Sequence, residues 1–431
     1  MSKKEYIVLF TFMVLVFALN SGHIAQQKVF TDYYIPLTNS ILNNFEYGIK
    51  GNLMTYPMWG YSSFLIIANL IGSYSSIIII QFIMCYLSIV AFYKTFTLDY
   101  KNYHLLLLLP YIALCSVKWN DAIVGSMLIF YIYFLTKSFK QNDIKSNILA
   151  GLILGIILNL RSEYLFLLPL QFIAIISIKS VRNSVKIKFH SVIYLTSILT
   201  LLPWGIRNYI EFDELKLSSS NGASVMYISL GQLDNNSWGI KPVDNSAFLV
   251  TKKYKVKDPY SIEGESILRK EFLTKVEEDP AEYILKCLNN ALDFVIGGVY
   301  TGEYGSVLIQ PEQRQNIDNR INSANGLGKF EVILKQDFYA AYPILIEKII
   351  LLIYRIVWLS LIMLFIYALF KQKYDALLTI ILIIFIHKLL IVSGIQYEYR
   401  HINSIYLPVL GIVLKQRFFQ QKPQKKLNVS R

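Results

Sequence analysis

YIVLFTFMVLVFAL at residues 6–19, and Thr31-Asp32-Tyr33-Tyr34 shortly after it, decide how this chain is built. A spanning helix needs about 20 mainly apolar residues. The first run, behind Lys3 and Lys4, supplies a candidate span at 6–22. No Ala-x-Ala follows it, so it reads as a retained span rather than a cleaved leader. Asp32 then sets a carboxylate where that span meets water. Pro57-Met58-Trp59-Gly60-Tyr61 follows about twenty-five residues later.

Outward from this stretch the same chemistry repeats. Of the 431 residues 54% are hydrophobic and 16% charged, with a mean hydropathy of +0.43. Soluble domains carry roughly 25% charged residues, so this composition belongs to an integral membrane protein. Further candidate spans fall at 74–97, 103–118, 121–138, 146–160, 163–180, 188–204, 347–370, 375–394 and 402–416. The expected fold is an all-α polytopic bundle of about ten helices.

Lysine and arginine set the orientation. With the N-terminus inside, the inner loops hold Lys101, Lys137, Lys140, Lys145, Lys179, Arg182, Lys186, Lys188, Lys371 and Lys373. The outer turns hold far fewer: Lys118, Arg161 and Arg400. This matches the positive-inside rule with an even number of spans and both termini cytoplasmic. It also explains much of the +13 formal charge, which on a soluble chain would suggest nucleic acid. Cys85, Cys115 and Cys287 have the spacing of neither a disulfide framework nor a metal cluster.

Four regions result. Residues 1–204 form an N-terminal membrane module whose first outer loop is 23–73. Residues 205–346 form an extracytoplasmic domain, 347–416 the C-terminal helices and 417–431 a basic tail. In the first loop Leu37, Ile41, Leu42 and Phe45 share a helical face, which suits a helix lying in the interface. Residues 61–71 form a second short apolar piece, ending at Gly72. In the outer domain 215–230 reads as strand-like or extended, which makes the expected domain mixed α/β. Residues 261–294 read as helical, broken at Asp279-Pro280, and 301–329 as a loop.

The informative polar residues gather at the outer ends of spans: Asp32, Lys118, Asn120 and Asp121, Arg161 and Glu163, Arg207 and Asn208, and Glu398, Arg400 and His401. Charges beside a membrane pair with one another or serve an anionic ligand. Structural roles stand beside functional ones. Arg161 and Glu163 pair with each other on one reading, Arg207 and Arg400 anchor on headgroups, and Asp121 or Asp32 caps a helix. His387 and Lys388 lie inside a span facing the bundle. No Walker loop, dinucleotide fingerprint, His-Glu-x-x-His helix or Gly-x-Ser-x-Gly elbow occurs. The five histidines are scattered.

Asp32-Tyr33-Tyr34, Asn44-Phe45-Glu46-Tyr47-Gly48, Trp59-Gly60-Tyr61, Asp121, the run Ala150-Gly151-Leu152-Ile153-Leu154-Gly155 leading to Arg161-Ser162-Glu163, Pro203-Trp204-Gly205-Ile206-Arg207-Asn208-Tyr209, Asn221-Gly222, Asp279-Pro280 and Tyr397-Glu398-Tyr399-Arg400 together carry a likeness. The chain resembles the polyprenyl-phosphate-sugar-dependent glycosyltransferases of the GT-C fold, in the branch of protein mannosyltransferases and the lipid A aminoarabinose transferase. Many relatives have two adjacent acids in the first loop, where here Tyr33 follows Asp32; Ser62 stands where relatives often have proline.

The resemblance implies transfer of a sugar from a polyprenyl monophosphate to a lipid, glycan or protein acceptor at the outer leaflet of the cell membrane, with inversion. It implies Asp32 as general base, with Arg207 and Arg400, then Arg161 and Lys118, on the lipid phosphate. Asp121, Glu163 and Tyr34 support substrate or orient the arginines. Some relatives bind a divalent metal and others need none; this sequence carries no acidic cluster that decides the cofactor. The competing readings are a surface-polysaccharide polymerase, a lipid or solute transporter, and a non-catalytic assembly subunit. A transporter should show repeats and broken helices at the midplane, and none is visible in the sequence.

Overall fold

The structure is a computed structural model. It describes residues 1–20, 30–49, 52–177, 183–233, 235–299, 316–317, 320–321, 331–333, 335–336, 338–371, 376–395 and 399–415, with backbone alone at 174–177, 183–185, 338–341 and 399–401.

The apolar runs are helices. They comprise α1 (Lys3–Asn20), then, after the first loop, α4 (Ile77–Phe96), α5 (His104–Cys115), α6 (Asn120–Gln141), α7 (Ile144–Leu160), α8 (Leu167–Ser177) and α9 (Asn183–Phe212). Three more close the chain: α14 (Phe338–Lys371), α15 (Ala376–Gly394) and α16 (Tyr399–Lys415). Among the described residues five helices are long and apolar enough to cross a membrane: Tyr74–Phe96, Asn120–Gln141, Lys186–Phe212, Tyr342–Lys371 and Ala376–Gly394. Several remaining runs are shorter apolar helices. Exposed Ile79, Ile83, Leu87, Ile353, Ile356 and Met363 are side chains that lipid would cover.

Helix α7 packs between α6 and α9. Its glycines explain the closeness to α9. A Cβ on Gly151 would lie 3.0 Å from the Ile193 backbone, and one on Gly155 would lie 2.8 Å from the Thr200 Cβ. This is the small-xxx-small face of membrane helix pairs. Polar side chains cross the same seam: the Ser197 hydroxyl donates to the Gly151 carbonyl at 2.9 Å, and the Asn147 amide to the Phe189 carbonyl at 2.8 Å.

The first loop, between α1 and α4, holds a π-helical turn (Phe30–Tyr34), α2 (Ile35–Asn44), the paired strands β1 (Gly48–Ile49) and β2 (Asn52–Leu53), and α3 (Gly60–Ile71). A helix is therefore present where the interfacial one was expected, and 61–71 is a separate helix ending at Gly72. The face drawn from the sequence divides, however. Leu37 is fully buried, whereas Leu42 and Phe45 are exposed.

Among its described residues, the segment 205–346, expected to form the outer domain, departs from the mixed α/β expectation. Its described elements are α10 (Gly222–Ser229), α11 (Asp244–Lys253), α12 (Ile262–Glu278) and α13 (Pro280–Ile296), and none of its described residues forms a strand. Residues 222–229 are helical because Ala223, Tyr227 and Ile228 close a small core against Leu268 and Phe272 of α12; that packing overrides the weak local preference of the Ser/Asn/Gly run. The break at Asp279-Pro280 is where it was expected. The Asp279 carboxylate accepts from the Glu282 N–H at 2.9 Å, capping α13. Most of 301–329 lies outside the described residues.

Candidate functional site

The turn that carries Asp32 is pinned at both ends. Phe30 and Tyr34 are buried while Thr31, Asp32 and Tyr33 are exposed. The Tyr34 ring meets Tyr61 of α3 edge-on at 4.6 Å. The Lys118 ammonium stands 5.1 Å above the Phe30 ring and donates to the Ser75 hydroxyl at 3.4 Å. Burial pushes the Lys118 ammonium below the usual lysine range. Aromatic anchors thus hold the turn that exposes Asp32, and a partly desolvated cation lies over the first ring of that turn. Thr31 Oγ1 donates to Asp32 Oδ1 at 3.1 Å.

The other candidates sort into separate pairs. Asp121, in the first turn of α6, forms an ion pair with Arg161 at the end of α7. Their side chains are 8% and 19% exposed, so each charge is compensated in a poorly hydrated place. Asn120 tightens the same junction, donating to the Leu160 carbonyl at 3.1 Å. Asp121 does not cap its helix.

Glu163 forms an ion pair with Lys388 of α15. His387 Nε2 lies 3.1 Å from the Glu163 carbonyl oxygen, and the Tyr164 ring stacks on His387 at 5.1 Å. Lys388 Nζ sits 4.2 Å from the centre of the same ring. The turn between α7 and α8 is thereby fastened to α15. Sequence reasoning placed His387 and Lys388 in the bundle but could not name their partner, which lies 225 residues away.

Arg207, expected on the lipid phosphate, has protein partners that the sequence did not show. Its guanidinium donates to the Met54 carbonyl at 2.7 Å, the Tyr47 carbonyl at 2.9 Å and Asn208 Oδ1 at 2.9 Å. It also lies over the rings of Phe212, Trp204 and Tyr47, at 5.0, 5.4 and 5.8 Å. A guanidinium that donates to two backbone carbonyls and is framed by aromatics holds a loop. It clasps the β1–β2 hairpin to the end of α9. The Arg400 side chain and all of Glu398 lie outside the described residues.

Two contacts missed by sequence reasoning join the layers. Trp59 Nε1 donates to Asn159 Oδ1 at 2.7 Å, which docks α3 on α7. Ser220 N–H donates to the Thr55 carbonyl at 3.3 Å, and both hydroxyls reach the Tyr260 carbonyl. The first loop therefore touches the segment 205–346 directly. A cavity of about 280 Å³ opens between α2 and the hairpin, lined by Asn39, Ser40, Asn43, Asn44, Glu46 and others; Asp32 is not among its walls. Among the described residues no three His, Cys, Asp or Glu side chains gather as a metal-binding group.

Chemically, the arrangement offers one solvent-facing carboxylate on a fixed turn, a lysine beside that turn, and an Asp–Arg pair at the adjoining helix ends. Compared with protein-family models, curated proteins and solved structures, the chain matches none.

Proposed function

We propose that the chain is an integral-membrane glycosyltransferase with a GT-C-like bundle of about ten spans, in which shorter helices complete the five long ones. Both termini face the cytoplasm and the site faces outward. The enzyme moves a sugar from a polyprenyl-phosphate donor to an acceptor, inverting the anomeric carbon. The observation that carries this reading is Asp32, held exposed on a turn locked by Phe30 and Tyr34 next to Lys118.

In the step itself the acceptor oxygen attacks the anomeric carbon as that carbon's bond to the phosphate oxygen breaks. The bonding pair leaves on the lipid phosphate, and the acceptor proton passes to Asp32. A positioned general base contributes about 10²–10⁴ in rate. Charge growing on the leaving phosphate is met by fixed cations. Lys118, Arg161 and Arg400 take that part here, while Arg207 holds the hairpin. Asp121 keeps the Arg161 fork oriented, and Glu163 does its work by fixing the turn that carries Arg161.

The test is Asp32→Asn. The variant should insert and melt like the parent yet lose transfer from a radiolabelled polyprenyl-phosphate sugar by about 100-fold or more. Near-parental turnover would remove Asp32 from the reaction.

A further inference from the structure

One feature of the first loop is not used by the reaction above. Phe45 closes α2 in the left-handed conformation, φ 57° and ψ 22°, where glycine or asparagine is usual. A bulky residue there is an outlier. Its ring is also 93% exposed, so packing against this chain returns nothing for the strain. Its neighbours Asn44 and Glu46 both line the cavity of about 280 Å³, with Asn39, Ser40 and Asn43 on the same wall.

The lining decides the ligand class. Amides and a hydroxyl offer donors and acceptors together. The Tyr74 hydroxyl donates to Asn39 Oδ1, which leaves the Asn39 amide N–H₂ to donate. None of the eight lining residues is Lys or Arg, and one is a glutamate. A phosphate or carboxylate ligand would find repulsion there, and an apolar chain would strand the amides. A sugar satisfies both parts, because its hydroxyls donate and accept while its C–H face covers an aromatic ring. We propose that this cavity binds a neutral, hydroxyl-rich glycan, and that Phe45, between two lining residues in the chain though not itself in the lining, covers the C–H face of a sugar. Its use as the acceptor site rests on the transferase reading; the binding itself does not.

Chain reconstituted in nanodiscs is tested on a printed panel of neutral and acidic oligosaccharides. A neutral oligosaccharide should bind. Phe45→Gly suits the left-handed position and keeps the fold, and it should weaken that binding about tenfold, the order of a lost aromatic contact. Asn43→Leu should weaken it similarly, and binding is read with no sugar donor present, so failure of the transfer chemistry and failure of this site are told apart. Phe45→Trp should gain fluorescence that shifts on adding the bound oligosaccharide and that brominated phospholipids do not quench. Quenching by those lipids would make the ring a membrane anchor and overturn the proposal. So would binding of acidic oligosaccharides alone, or full binding by Phe45→Gly.

Discussion

Replacing Arg207 by alanine separates a clasp from a phosphate ligand. The side chain reaches two backbone carbonyls of the first loop, at 2.7 and 2.9 Å. Hydrogen bonds from a charged donor contribute about 1.5–3 kcal/mol each when buried, and an exposed cation–π contact adds about 0.5–1 kcal/mol. Arg207 is only half-buried, so the low ends apply and screening reduces them further, to about 2 kcal/mol in all. That energy resists opening of residues 47–54, not unfolding of the bundle. Freed of it, the hairpin should open about thirtyfold more often at equilibrium. Hydrogen exchange in nanodiscs reads this directly. Backbone amides of 47–49 and 52–55 should exchange about thirtyfold faster, since native-state exchange reports local opening, while α6 and α7 keep their protection. Arg207→Lys should lie between, because an ammonium cannot span both carbonyls as the fork does. Unchanged exchange in the hairpin, together with weakened binding of polyprenyl monophosphate, would refute the clasp and return Arg207 to the lipid.

Three further perturbations follow from the same contacts. Lys388→Met breaks the ion pair with Glu163; breaking a buried pair costs about 3–5 kcal/mol, and the 17% exposure of Glu163 brings this to about 2–3 kcal/mol in thermal unfolding. Adding Glu163→Gln should recover more than half of the loss, and no recovery would mean that the pair is not what matters. Gly60→Ala drives a Cβ to 2.5 Å from the Asn159 carbonyl oxygen and should cost about 1–3 kcal/mol, whereas Gly125→Ala meets its nearest neighbour at 3.4 Å and should be silent. Lys286 is fully buried against the end of α15, donating to the Ile395 carbonyl at 2.8 Å, and burial lowers its pKa from 10.5 to about 8. Between these values the unfolded chain holds the proton more often than the folded one. This lysine's penalty is therefore full below pH 8 and is relieved as pH rises toward 10.5. The difference in melting temperature between parent and Lys286→Met should move in the parent's favour across that window, and a flat difference would contradict the burial argument.

What was legible from the chain divides by the range of the physics involved. Long apolar runs specify helices by themselves, which is why every predicted apolar segment coincides with one. Asp279-Pro280 was equally plain, because capping and proline geometry are local. Residues 222–229 were misread because a polar Ser/Asn/Gly run precedes them; contacts with Leu268 and Phe272 settle their helix. In the site, the residue types were visible and their pairings were not. Asp121 with Arg161, Glu163 with Lys388 and Arg207 with two loop carbonyls are all separated by forty residues or more. Spacing along the chain holds no information about such partners. The exposed Phe45 in a left-handed bend was invisible for a related reason. In sequence it extends the apolar face of Leu37 and Ile41, and only the backbone turns it away.

The transferase reading meets its most direct test in a single reconstitution. The purified chain in nanodiscs is given a polyprenyl-phosphate sugar and a hydroxyl acceptor, and mass spectrometry follows the lipid. The reading expects free polyprenyl monophosphate to accumulate in step with a sugar–acceptor product of inverted anomeric configuration. Donor lipid that stays intact across acceptors of lipid, glycan and peptide type, or that only changes leaflet when liposomes replace the nanodiscs, would contradict it.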